Sequence, residues 1–112
     1  MLTFTVHGNL TALLGEDAAE NQELCRRARQ NDLWFHLDGQ PSPHCILQCG
    51  ASEPPREAIL ECARLVKQHS KRKQQQRVGV IYIQAKYVSR RGLQQERTGT
   101  VRTLRQPQRI II

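Results

Sequence analysis

Residues 31–38, NDLWFHLD, decide the layout of this chain and hold its only tryptophan. Side chains on a β-strand alternate between faces. Read as a strand, the stretch sends Leu33, Phe35 and Leu37 to one side and Asp32, Trp34, His36 and Asp38 to the other. The first set is a core face. The second combines carboxylates, an imidazole and an indole. Two roles are open to Trp34: a platform on which a flat ligand stacks, or a brace beneath a second layer. A DGQPSP turn (38–43) follows, and HCILQC (44–49) reads as a strand returning antiparallel to the first, with Cys45, Leu47 and Cys49 on its core face.

Working outward, LTFTV (2–6) and LTALL (10–14) read as a hairpin turned by HGN. Gly15 ends the second strand. Asp17 is a helix N-cap, and Glu20 lies three residues on, at capping-box spacing. That helix carries a narrow stripe of Leu24, Cys25 and Ala28, with Arg26, Arg27 and Arg29 in its last turns, where cations suit the helix end. Pro54-Pro55 opens a second helix, whose Ile59, Cys62, Ala63 and Val66 fall at i, i+3, i+4 and i+7. SKRKQQQR (70–77) reads as a basic loop and VGVIYIQAKYV (78–88) as a long strand rich in β-branched and aromatic residues. A second basic connection covers 89–99, and TVRTL (100–104) and RIII (109–112) read as the last strands. The expected fold is α+β, a mostly antiparallel sheet with two helices packed on it, in one domain over residues 1–112.

Charge is divided unevenly. Residues 1–56 hold four basic and seven acidic side chains, and residues 57–112 hold thirteen and three, so the second half carries the net excess of cations. A basic half-domain predicts an anionic partner, with nucleic acid first. No apolar run approaches the ~20 residues of a membrane helix, and MLTFTVHGNL lacks the basic start and apolar stretch of a signal peptide, so a cytoplasmic location without a membrane partner is expected. The four cysteines, Cys25, Cys45, Cys49 and Cys62, read as reduced thiols.

Spacing argues against metal and catalysis. His36, His44, Cys45 and Cys49 are close in sequence, but Cys45 and Cys49 on one strand lie ~13 Å apart, too far to share an ion. Asp32 and His36 are ~13 Å apart by the same rise, beyond hydrogen-bond reach. No phosphate-binding glycine loop is present. No enzyme activity, metal or cofactor is expected. Nucleic-acid binding needs cations for phosphates and flat groups for bases. Lys71, Arg72, Lys73 and Arg77, then Lys86, Arg90, Arg91 and Arg97, supply the cations; Trp34, His36, His44 and Tyr87 are the flat candidates.

The motifs resemble a known family. GEDAAENQEL (15–24) is similar to the G-R-N-A-x-E-N-D-x-L of the NFACT-R domain, and Asn31-Asp32-Leu33-Trp34-Phe35-His36 to its N-D-[IL]-W-[FL]-H. Pro41-Ser42-Pro43-His44 matches its P-G-S-H with two changes. Ser70-Lys71 matches its S-K-A-R, and Lys86-Tyr87-Val88 the K-Y-V before its basic loop, which here has lost its usual prolines. The resemblance implies an RNA-binding module, engaging tRNA or ribosomal RNA in preference to DNA, linked to translation and ribosome-associated quality control and so to the large ribosomal subunit. It also implies a shaped surface of Glu20, Asn21, Asp32, Trp34, His36, His44 and Tyr87, in which the carboxylates contact RNA or fix the histidines. The chain has no room for the other domains of full-length NFACT proteins, so it looks like a stand-alone member. Two rival functions stand beside this one: a protein-interaction adaptor on the ribosome, and a small hydrolase or nuclease using His36.

Overall fold

The computed structural model describes residues 1–89 and 102–112. Six strands form one antiparallel sheet, β1 (Leu2–Val6), β2 (Leu10–Leu14), β3 (Leu33–Leu37), β4 (Cys45–Gln48), β5 (Gly79–Gln84) and β6 (Gln108–Ile111), in the order β1-β2-β4-β3-β5-β6. Helices α1 (Ala18–Arg27) and α2 (Arg56–Gln68) join them, and the sheet separates two cores. The α+β reading therefore holds.

The alternation of 31–38 sorts the cores. Phe35 and Leu37 face α2 with Ala12, Leu14, Cys45, Leu47, Val80 and the helix residues Ala58, Cys62, Ala63 and Val66. Trp34 faces the other way, with Ile46 and Leu24 of α1. The HGN turn has His7 at φ 48° and Gly8 at φ 79°, both positive as a type I′ hairpin turn requires, with the Asn9 N–H donating to the Val6 carbonyl at 3.3 Å. Asp17 caps α1, its Oδ1 accepting from the Glu20 N–H at 2.8 Å. The reciprocal bond is displaced by one residue: Glu20 Oε1 accepts from the Glu16 N–H at 2.9 Å, and the Met1 amine lies 2.6 Å from the same oxygen. The amine, first, and then that backbone bond hold the Glu20 carboxyl below its usual range.

Two strand expectations need correction. The long strand at 78–88 ends at Gln84, and Ala85–Tyr87 form a 3₁₀ turn. The cause is tertiary: the Ala85 N–H donates to the Asp32 carbonyl at 2.8 Å and the Lys86 N–H to the Gln30 carbonyl at 3.0 Å, pulling the chain out of the ladder. Of the strand expected at 100–104, Thr103 pairs with Val88 as a single bridge; residues 100–101 lie outside the described part.

Candidate nucleic-acid interface

The row of polar residues on β3 is not a surface. Asp32 is 2% exposed, Trp34 0%, His36 1%, His44 0% and Asn21 3%, because α1 lies across this face of the sheet. The expected polar surface is thus, for these five, an interior network, and Trp34 does not present a face on which a base can stack.

Each member ties down a different part of the chain. The Trp34 Nε1–H donates to His44 Nδ1 at 3.0 Å. An indole N–H only donates, so this bond puts the imidazole proton of His44 on Nε2. Cys25 Sγ lies 3.6 Å from the same Nδ1. The rings of Trp34 and His36 stack at 5.5 Å and 13°, and His36 meets His44 edge-on at 4.9 Å. His36 Nδ1 lies 2.6 Å from the Leu37 carbonyl, which can only accept, so Nδ1 carries the proton there. Asn21 reaches from α1 to accept from the His44 N–H at 3.1 Å. Gly15 is required at this point, since a Cβ there would lie 2.1 Å from Asn21 Oδ1.

Asp32 joins three segments. Its Oδ2 accepts from the Arg29 N–H at 3.1 Å and its Oδ1 from the Gly50 N–H at 2.9 Å, while its carbonyl holds Ala85. Buried carboxylates need such donors. The carboxylate ties Arg29 to Gly50, and the backbone carbonyls of Asp32 and Gln30 fix the turn that carries Lys86 and Tyr87. Neither Asp32 nor His36 is placed for catalysis: Asp32 is spent on backbone donors, and His36 is sealed from solvent.

The cations divide into two groups. Lys71, Arg72, Lys73 and Arg77 are exposed beside the 38–43 turn, where the Arg72 Nε–H donates to Gln40 Oε1. Lys86 is exposed at the opposite end of β5. The six residues of β5 separate these ends by about 20 Å, so the structure does not bring Lys71, Arg72, Lys73 and Arg77 to Lys86. Arg90, Arg91 and Arg97 lie outside the described residues.

Around Lys86 the structure adds residues that sequence reasoning missed. Arg105 packs on Tyr87, its Cζ 4.6 Å from the ring centroid, and Lys86 Nζ lies 5.3 Å from the same centroid. The Val88–Thr103 bridge and the Leu104 N–H to Tyr87 carbonyl bond, 2.7 Å, set this contact. Had TVRTL been folded back against KYV as a hairpin, the sequence would have brought Arg105 to Tyr87. Among the described residues, Lys71, Lys73, Arg77, Lys86 and Arg105 have no ion pair with a carboxylate. Arg109, by contrast, is paired with Asp38 at 2.7 Å. No group of His, Cys, Asp and Glu among the described residues is arranged to hold a metal, and no helix among them is long and apolar enough to cross a membrane.

Comparison with known proteins agrees with this architecture. The chain resembles the C-terminal part of the fibronectin/fibrinogen-binding protein of Streptococcus suis, with a TM-score of 0.83 and 25% identity over 98% of this chain and 44% of that one. Coiled-coil domain-containing protein 25 of Bos taurus and of Mus musculus are each 36% identical over 64 residues, 54% of this chain and 31% of theirs. The Dictyostelium discoideum homolog is 34% identical over 61 residues, 51% of this chain and 30% of its own. The chain thus matches under a third of the length of these curated relatives. The profile of the NFACT protein RNA binding domain matches residues 1–103, nearly the whole sequence, and the chain belongs to that family of RNA-binding domains.

Proposed function

We propose that this chain binds tRNA or ribosomal RNA, as a module of translation and ribosome-associated quality control working on the large ribosomal subunit in the cytoplasm. The observation that carries the reading is the set of exposed cations at both ends of the sheet that, among the described residues, no carboxylate pairs. Cations left without internal partners are free to replace counterions along a phosphate backbone. The family's RNA-binding character supports RNA over DNA.

The adaptor reading has less to stand on. An interface hot spot needs clustered apolar or aromatic anchors. Among the described residues the exposed large hydrophobic side chains are Leu104, 65% exposed, and Ile111, 40%. A nuclease using His36 would need that ring to reach a substrate, and it is 1% exposed and stacked on Trp34.

Labelled tRNA, single-stranded RNA and duplex DNA, titrated at 50 and 200 mM salt, test the reading. Four phosphate contacts to a single strand predict about fifty-fold weaker binding at the higher salt. Salt-independent RNA binding, or none, would sink it. Incubation that cleaves the labelled RNA would restore the nuclease.

A further inference from the structure

We propose that the cleft beside Tyr87 is a pocket for one unstacked RNA base, with adenine the best-matched edge. The proposal rests on the RNA-binding reading and adds base recognition to it. The cleft lies between the N-terminal end of α2 and the C-terminal end of β5 and encloses about 460 Å³. That volume suits a small planar ligand.

Its parts are those that a base requires. The floor is apolar, made by Leu33, Ile59 and the Tyr82 ring, which stacks on Phe35 at 5.4 Å and 23°. Four primary amides, Asn31, Gln84, Gln106 and Gln108, line the same cleft, Gln108 accepting from the Tyr82 hydroxyl at 2.6 Å. Each amide presents a donor beside an acceptor, the pattern that matches the N6 and N7 edge of adenine. Gln84 Nε2 lies 3.5 Å from Asn31 Oδ1, so these two amides already converge on one region. At the mouth, Arg105 lies over the Tyr87 ring at 4.6 Å. A guanidinium plane and a phenol ring are both surfaces on which unpaired bases stack. A base entering over Arg105 extends that stack, and exposed Lys86 meets the phosphate beside it.

The occupant is an unpaired nucleotide, because a base inside a duplex has both faces stacked and its pairing edge used. Phosphate contacts alone give no role to four amides gathered in one cleft with apolar side chains, since such contacts carry no sequence information. The cleft therefore supplies selection, and the exposed cations supply attraction.

The test uses the intact chain with three probes: tRNA, an oligoadenylate decamer and a decamer of the same sugar-phosphate backbone without bases. Oligoadenylate should bind about tenfold more tightly than the abasic strand, as one stacked base implies. The Gln84→Ala/Gln106→Ala double variant should bring the two decamers within about twofold of each other, with an unchanged salt slope. Cys49 gives a second readout, because it lines the cleft, with its thiol 3.9 Å from the Asn31 carbonyl. Oligoadenylate should slow its alkylation, and the abasic decamer should not. Equal affinity for the two decamers, discrimination that survives in the double variant, or equal protection of Cys49 by both strands overturns the pocket while leaving RNA binding in place. Failure of tRNA and both decamers to bind overturns the RNA-binding reading itself.

Discussion

Replacing Trp34 by phenylalanine separates a brace from a stacking platform. The variant keeps an aromatic ring on Cβ in the same strand position and removes the indole N–H with the outer part of the bicyclic ring. In the structure that N–H donates to His44 Nδ1 at 3.0 Å inside a fully covered site. Losing a buried hydrogen bond of this kind costs about 1 kcal/mol. The void left by the missing ring, between Leu24, Ile46 and His36, costs a comparable amount, since buried cavities destabilise roughly in proportion to their volume. Cys25 Sγ, 3.6 Å from the same nitrogen, is a weak replacement partner. The expected loss is therefore about 2 kcal/mol. At about 2.1 cal/mol/K of unfolding entropy per residue, a 112-residue chain should melt about 8 °C lower. A domain with the usual ~5–15 kcal/mol remains folded at 20 °C, where RNA affinity should stay within about twofold of the parent. Thermal melting by circular dichroism and RNA titration at 20 °C check the two halves. An unchanged melting temperature together with tenfold weaker RNA binding would refute the burial argument and return Trp34 to a direct contact.

Four further outcomes follow from the same geometry. Asp32→Asn places an amide N–H against one of two backbone donors, Arg29 at 3.1 Å or Gly50 at 2.9 Å, and should cost about 2 kcal/mol in urea unfolding. Gly15→Ala drives a Cβ to 2.1 Å from Asn21 Oδ1, so it should lower stability by about 2 kcal/mol and speed amide exchange at His44, whose N–H that oxygen accepts. Lys71→Glu/Lys73→Glu should weaken single-stranded RNA binding and flatten the log–log salt slope by about 1.4. Burial pushes the Cys49 thiol up, and a hydrogen bond from the Cys45 thiol to Cys62, then burial, pushes Cys45 up much further. Iodoacetamide at pH 8.5 should therefore modify Cys49 more slowly than a free thiol, with Cys45 unreactive until the chain unfolds, as mass spectrometry of timed samples will report.

Local chemistry was legible wherever neighbours in sequence decide the outcome. The HGN turn, the Asp17 cap and the i, i+3, i+4, i+7 stripe of α2 need only adjacent residues, and those elements appear where the sequence puts them. What failed to show was set by distant partners. QAKYV has strand-forming residues, yet carbonyls fifty residues earlier, at Gln30 and Asp32, take its N–H groups and coil it into a 3₁₀ turn. Alternation placed Trp34 opposite Phe35, but whether that side is covered depends on where α1 comes to rest. The same limit hid the contact between Tyr87 and Arg105, which are eighteen residues apart and meet through the pairing of Val88 with Thr103. The cations were correctly counted as an excess, but their partition between two ends of a sheet is a property of strand direction, not of composition.

The buried network beneath α1 has a mechanical consequence. Asp32 anchors the turn carrying Lys86, and at the other end of β3 the Leu37 N–H donates to Ser42 Oγ at 3.0 Å, anchoring the turn against which Arg72 rests. Both basic ends are thus mounted on one short strand whose length does not adjust. If the proposed RNA reading holds, the module is a gauge of fixed width. An RNA fold that presents phosphates about 20 Å apart would engage both jaws at once, and the second contact would gain from the effective concentration set by the first. An RNA of another shape would engage one jaw and leave as readily as any weakly held polyanion.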